Sequence, residues 1–161
     1  MITESKVFVT GIYASGKTTF AKGHSETNDL EYLCFDEIYG YTNPEKLDVV
    51  YAAMEAQDRF VMDALPLNEH ESSWLRLADY IMSNKVALVV VKCPIDLWYR
   101  ERLPSKASYS TAAEEDHRRW YKEFYEQTLF RIFEQLTLKA VYSYDSGPEG
   151  SGNLERMRLE C

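Results

Sequence analysis

Short apolar runs alternate with segments of helical period along the whole chain, the pattern of an α/β protein built on a buried parallel sheet. The runs predict five strands, Val7 to Thr10, Tyr32 to Phe35, Arg59 to Met62, Val86 to Val91 and Ala140 to Tyr144. Each is short and apolar, as strands covered on both faces are. Between the second and third, Asn43 and Pro44 read as the cap and first residue of a helix whose Leu47, Val50, Tyr51 and Met54 share one face. A second helix runs from about Ser73, with Trp74, Ala78 and Ile81 at helical spacing, and a third opens at Pro94 directly after the fourth strand. Thr111, with Glu114 three residues on, makes a capping box for a long helix reaching about Leu136. Leu103 to Ser110, carrying Pro104, Lys106 and several serines, reads as an exposed loop and a candidate lid. The glycine- and serine-rich stretch at 146–152 is expected to turn into a short last helix bearing Arg156 and Arg158.

Composition narrows the class. A chain of 161 residues, 45% hydrophobic and 27% charged, is sized for one domain with its own core, here 1–161. No apolar run approaches the roughly 20 residues of a membrane helix, and the first residues lack a secretory leader, so a cytoplasmic protein without membrane partners is expected. Cys34, Cys93 and Cys161 are scattered and odd in number, which predicts two core thiols and one tail thiol rather than a disulfide framework. His24, His70 and His117 show no metal-ligand spacing and are assigned to surface or capping positions. The net charge of -8 works against broad attachment to a nucleic-acid backbone. Aromatic residues, at 14% with 12 tyrosines, are assigned to core and rim.

The chemistry concentrates at Gly11-Ile12-Tyr13-Ala14-Ser15-Gly16-Lys17-Thr18, which fits G-x-x-x-x-G-K-[ST] and sits between an apolar strand and a helical segment. In that setting backbone N–H groups converge on phosphate oxygens, and the helix N-terminus adds a positive field. The candidate nucleotide-binding residues are Gly11, Ala14, Ser15, Gly16, Lys17, Thr18 and Thr19, with Lys17 reaching the β- and γ-phosphates and Thr18 offering its hydroxyl to Mg²⁺.

Together with the strand alternation, this motif makes the whole chain resemble the P-loop kinase family that includes shikimate, gluconate and nucleoside monophosphate kinases. The resemblance implies a three-layer fold, a five-stranded parallel sheet of order 2-3-1-4-5 with helices on both faces, and ATP and Mg²⁺ as cofactors. Ala14 departs from the glycine that many of these kinases carry, and its methyl group is expected to fit with a negative φ. Asp36 lies 19 residues after Lys17, a spacing similar to that of the acidic residue holding the acceptor hydroxyl in shikimate kinases and 5′-polynucleotide kinases. At the carboxyl end of a strand, its carboxylate is placed to take or orient the hydroxyl's proton, with Glu37 the weaker candidate. Phe60-Val61-Met62-Asp63 resembles a Walker B segment, which makes Asp63 the second Mg²⁺ residue beside Thr18. Arg100, Arg102, Lys106, Arg118 and Arg119 resemble lid cations, and Arg100 leads because it stands six residues after Pro94, where the family places one.

The expected activity is transfer of the γ-phosphoryl of ATP to a hydroxyl or phosphate of a small molecule or nucleotide. A polynucleotide 5′-hydroxyl or DNA-base kinase is the alternative that the Lys17 and Asp36 spacing favours and the net charge opposes. A nucleotide-binding regulatory module without phosphotransfer is the third reading. Within it, GTP specificity lacks support, because Asn84-Lys85-Val86-Ala87 has no acid where a guanine-reading segment carries one.

Overall fold

Residues along β4 (Val86–Lys92) alternate between two apolar layers, and that alternation sets the architecture. Leu88 and Val90 join Phe8 and Met62 on one face, whereas Ala87, Val89 and Val91 join Val7, Val9 and Val61 on the other. In this computed structural model, which describes residues 1–40, 46–67, 70–106, 112–148 and 152–157, the strands are β1 (Lys6–Thr10), β2 (Glu31–Leu33), β3 (Phe60–Met62), β4, β5 (Ala140–Ser146) and β6 (Gly152–Arg156). They form one sheet of order β2-β3-β1-β4-β5-β6. The first five are parallel in the expected order, with Val7 in register with both Val61 and Ala87.

The sixth strand corrects the sequence reading. Gly152–Arg156 runs antiparallel to β5, with Leu154 opposite Tyr144 and Gly152 opposite Ser146, where a short helix was expected. The outer edge of β5 carries backbone groups that need partners, and the returning chain supplies them. Arg158 lies outside the described residues.

Helices cover both faces. α1 (Lys17–Asn28) lays Ala21 against the Val7 and Val9 side, and α3 (Lys46–Glu55) and α4 (Glu71–Ser83) cover the other. On α3 the anticipated stripe is buried, Leu47 at 6%, Val50 at 0%, Tyr51 at 2% and Met54 at 0% exposure. α4 starts two residues before the expected Ser73, whose backbone N–H and Oγ both donate to the His70 carbonyl at 3.0 and 2.6 Å. Its buried face is Ser73, Leu77, Tyr80 and Ile81, with Trp74 and Ala78 along the partly covered flank.

After β4, Pro94 caps α5 (Ile95–Leu97), which passes into a π-helical turn at Trp98–Arg102 closed by Leu103 N–H donating to the Trp98 carbonyl at 2.8 Å. The long helix runs as α6 (Glu114–Glu123), a second π-helical turn (Phe124–Thr128) and α7 (Leu129–Gln135), ending at Leu136 as expected. Its cap falls on Ala113 rather than Thr111. Glu114, Glu115 and Asp116 in the first turn face the positive end of the helix dipole in place of a capping box. Thr111 itself, the Asn43-Pro44 start, residues 107–110 of the candidate lid and Cys161 lie outside the described residues.

Two smaller expectations change. His117 is 1% exposed, enclosed by the rings of Trp98, Tyr99 and Trp120, so it is a core aromatic and not a surface or capping residue. Of the thiols, Cys93 is buried and Cys34 only half-buried, at the N-cap of α2 (Phe35–Tyr39). Among the described residues no helix is long and apolar enough to cross a membrane.

Candidate active site

β1 ends at Thr10, and the chain from Gly11 curls before α1 begins at Lys17. The curl is held from below. Trp98 Nε1 donates to the Tyr13 carbonyl at 2.7 Å, and Ser15 N–H donates to the Ile12 carbonyl at 3.0 Å. Ile12 itself packs on Cys93, Trp98 and Leu103, a third apolar cluster whose outer members are Tyr121, Phe124 and Tyr125. Tyr125 donates its hydroxyl to the Val91 carbonyl at 2.8 Å, tying the long helix to the end of β4.

Gly16 takes φ 103°, and a Cβ there would come within 2.8 Å of Arg102 Nη1, so both conformation and space require glycine. Ala14 also adopts a left-handed φ, 62°, contrary to the negative value expected from its side chain. Turning successive N–H groups inward to make an anion-binding concavity demands such residues, and for alanine the conformation costs about 1–2 kcal/mol.

Lys17 Nζ donates to the Ile12 carbonyl at 3.1 Å across the loop. Burial lowers its pKa most, the carboxylates of Asp63 and then Asp36 oppose that, and the Lys106 ammonium reinforces it. The same four charges therefore share one field, although Asp36 and Lys106 are exposed. Thr18 Oγ1 donates to Asp63 Oδ2 at 2.9 Å, which brings the two expected Mg²⁺ residues together. The Asp63 carboxylate, 9% exposed, also accepts from Tyr32 OH at 2.7 Å on Oδ2 and from Phe35 N–H at 3.4 Å on Oδ1. With its proton given to Asp63, the Thr18 oxygen keeps lone pairs for a cation. One carboxylate and one hydroxyl, with no cluster of three metal-ligating side chains among the described residues, fit Mg²⁺ held jointly with phosphate oxygens.

Tyr32 is a site residue that sequence reasoning missed. Burial and the bond to Asp63 push its phenol far up, so it remains a donor. A tyrosine on an apolar strand looks like core, and only the pairing of β2 with β3, Leu33 beside Met62, puts its hydroxyl on the Asp63 carboxylate. Asp36 sits in the first turn of α2, three residues past the end of β2.

The arginines divide. Arg102 donates from Nη1 to the Ser15 carbonyl at 2.8 Å and Ser146 Oγ at 2.7 Å, and from Nη2 to the Gly147 carbonyl at 2.7 Å. It clamps the phosphate loop to the end of β5. Arg100 is exposed, and its charge acts on Asp96. Arg118 pairs with Asp96 at 2.8 Å and Glu114 at 2.7 Å, and Arg119 with Asp116 at 2.6 Å, all on the outer surface of α6. Lys106 is exposed, and its charge reaches Lys17. Beside the clamp is a hollow of about 180 Å³ bounded by Gly16, Thr19, Phe20, Arg102, Tyr144 and Ser146. The Phe20 and Tyr144 rings meet there at 4.6 Å.

No protein-family model matches the chain, and no curated protein matches it by sequence. Solved structures do match it in fold. YorR protein from Bacillus subtilis, in complex with phosphorylated GDP, superposes with a TM-score of 0.58 at 14% identity, over 86% of this chain and 84% of that one. Shikimate kinase from Bacteroides thetaiotaomicron gives 0.56 at 12% identity, over 86% and 85%. Shikimate kinase from Aquifex aeolicus gives 0.50 at 14% identity, over 83% of each chain. The parallel order 2-3-1-4-5 and the loop joining β1 to α1 thus belong to the P-loop kinase fold, to which β6 is added at one edge.

Proposed function

We propose that this protein is a phosphotransferase that moves the γ-phosphoryl group of ATP to a hydroxyl or phosphate of a small molecule or nucleotide. The observation that carries the reading is the juxtaposition of Lys17, Thr18 and Asp63 at the mouth of the loop, with the Asp36 charge acting on the same ammonium. A loop alone would suit any nucleotide binder, whereas a second, solvent-reachable carboxylate facing the phosphate end suits an acceptor.

In this reading the loop N–H groups and the α1 N-terminus hold the β- and γ-phosphates, and the base enters the hollow between Phe20, Tyr144 and the Arg102 clamp. Thr18 and Asp63 would hold Mg²⁺, whose charge neutralises phosphate oxygens. Lys17 leaves the Ile12 carbonyl for the transferring oxygens, where its charge lowers the barrier. Asp36 accepts or orients the acceptor proton as the acceptor oxygen bonds to the γ-phosphorus and the bond to the bridging oxygen breaks. The fold likeness to two shikimate kinases, and to a protein holding phosphorylated GDP, supports the class of reaction.

The test is transfer of label from γ-labelled ATP with Mg²⁺ into pools of nucleosides, nucleotides, sugars and oligonucleotides, with Lys17→Ala as the control. Label retained in one pool by the wild type and lost in the variant supports the proposal. Equal transfer by a folded Lys17→Ala variant would sink it.

A further inference from the structure

Asp63 is held on both oxygens by the protein itself. Its Oδ2 accepts two hydroxyl hydrogens, from Tyr32 at 2.7 Å and from Thr18 at 2.9 Å, and its Oδ1 accepts the N–H of Phe35, the first residue of α2, at 3.4 Å. The terminal torsion of an aspartate is broad, so a carboxylate left to itself turns easily. Here its direction is set by what donates to it.

The two hydroxyl donors differ in freedom. The Thr18 hydroxyl rotates to suit its surroundings, and it settles its proton on Asp63 only while Oδ2 stays within reach. The Tyr32 hydroxyl stands at the end of a rigid ring. That ring is half-buried and packs on the layer of Val7, Val9 and Val61, and the Lys22 ammonium of α1 lies 5.4 Å from its centroid. The backbone beneath it is fixed as well, because β2 pairs with β3 in a register that sets Tyr32 beside Val61 and Leu33 beside Met62, the residue before Asp63. Tyr32 is thus the anchored donor on Oδ2, and Thr18 the adjustable one.

We propose that Tyr32 is a positioning residue for the Mg²⁺ site: by pinning Oδ2 of Asp63 it fixes the direction of the Thr18 proton, which leaves the Thr18 lone pairs for the cation, and so sets the affinity of the site. Tyr32 acts through Asp63 and not by contact with the cation. The inference rests on the Mg²⁺ and nucleotide site of the kinase reading and deepens it. Groups that orient a metal-binding side chain are worth about 10- to 100-fold in metal affinity when removed. Phenylalanine at 32 keeps the ring, its packing and its contact with Lys22, and removes only the hydroxyl that Oδ2 accepts from.

The experiment compares wild type with Tyr32→Phe in two titrations. ADP is titrated by calorimetry in EDTA, and Mn²⁺, the paramagnetic stand-in for Mg²⁺, is titrated by electron paramagnetic resonance into the ADP complex with protein in excess. The expected result is an Mn²⁺ Kd raised about 10- to 100-fold in the variant, with the metal-free ADP affinity unchanged. In an Asp63→Ala background Tyr32→Phe should change Mn²⁺ affinity no further, since a group that works through the carboxylate has nothing left to position. An Mn²⁺ affinity that does not move in folded Tyr32→Phe overturns the inference. So do equal losses with and without metal, the mark of a mere brace between β2 and β3, or losses that multiply in the double variant. A wild-type ADP complex that takes up Mn²⁺ no better than free ADP overturns the Mg²⁺ site of the kinase reading instead, so the two failures are distinguishable.

Discussion

The β4–β5 side of the strand ends and the β2–β3 side are built from the same parallel sheet, yet one is fastened and the other is open. On the first, Arg102 makes three hydrogen bonds between the phosphate loop and the end of β5, while Trp98 and Tyr125 brace the loop and the end of β4 from beneath. On the second, Asp63 is fixed by Thr18 and Tyr32, but Asp36 and Glu37 stand free to solvent on a five-residue helix. In the proposed function, a group that must hold a constant ligand, a triphosphate, gains from preorganised donors. A group that meets a changing partner, the acceptor proton, needs access more than rigidity.

That contrast breaks if the two sides respond alike to mutation. Asp36→Asn should lower kcat by about 10²- to 10⁴-fold with little change in ATP affinity, as loss of a general base does. Titration calorimetry with ATP beside acceptor kinetics gives both numbers, and equal losses would move Asp36 to the nucleotide side. Lys17→Ala should reduce turnover by about 10²- to 10³-fold while the circular dichroism spectrum is unchanged, because its ammonium serves charge rather than packing.

Arg102→Ala should instead unfold the fastened side. Losing three bonds from a guanidinium and leaving the Ser15 and Gly147 carbonyls without it should cost about 3 kcal/mol, or about 6–12 °C in Tm for a chain of this size. Arg102→Lys should recover only part, since an ammonium cannot span the fork. A thermal melt that does not move would show the clamp to be superficial.

Alkaline titration separates core from site. Burial pushes Tyr80 up to about 12 and raises Tyr51 still further, against an ordinary value of 10.0. A raised phenol contributes stability that is complete below pH 10 and drains away as pH climbs, because the unfolded chain ionises first. Tyr80→Phe should therefore flatten the fall in unfolding free energy between pH 10.0 and about 12 by up to about 1.4 kcal/mol per pH unit. Denaturant melts across that range measure the slope. The smallest effect belongs to Ala14→Gly. Relief of about 1–2 kcal/mol of left-handed strain exceeds the roughly 0.5–1 kcal/mol of added chain entropy, so the variant should be about 0.5–1 kcal/mol more stable. A destabilised variant would show that the Ala14 methyl packs productively.

Much of this contrast was legible in the chain. The five parallel strands follow from apolar runs alternating with helical periods, their order from the family resemblance, and the phosphate loop from its fixed residues in a strand-to-helix setting. The clamp made by Arg102 was not, because its partners Ser15, Ser146 and Gly147 stand 87, 44 and 45 positions away along the chain and only the fold brings them together. β6 escaped because Leu154 is its one apolar residue and its neighbours are exposed, so no period announces a strand whose stability comes from pairing with β5. The Ala14 conformation was hidden for a different reason. Side-chain preference favours a negative φ, and the geometry of the loop overrides it.

β6 also reaches inward. A Cβ on Gly152 would fall 2.0 Å from the Tyr144 ring, which lies over that glycine while its other side faces Phe20 and the hollow beside the phosphate loop. Any side chain at 152 must therefore displace the Tyr144 ring. The consequence is a form of modularity: the wall that a base would stack against can be reshaped from the outermost strand of the sheet, leaving Lys17, Thr18, Asp63 and the clamp untouched. Drift at an exposed edge position, ordinarily the most permissive place in a fold, would here be felt at the wall of the hollow beside the phosphate loop.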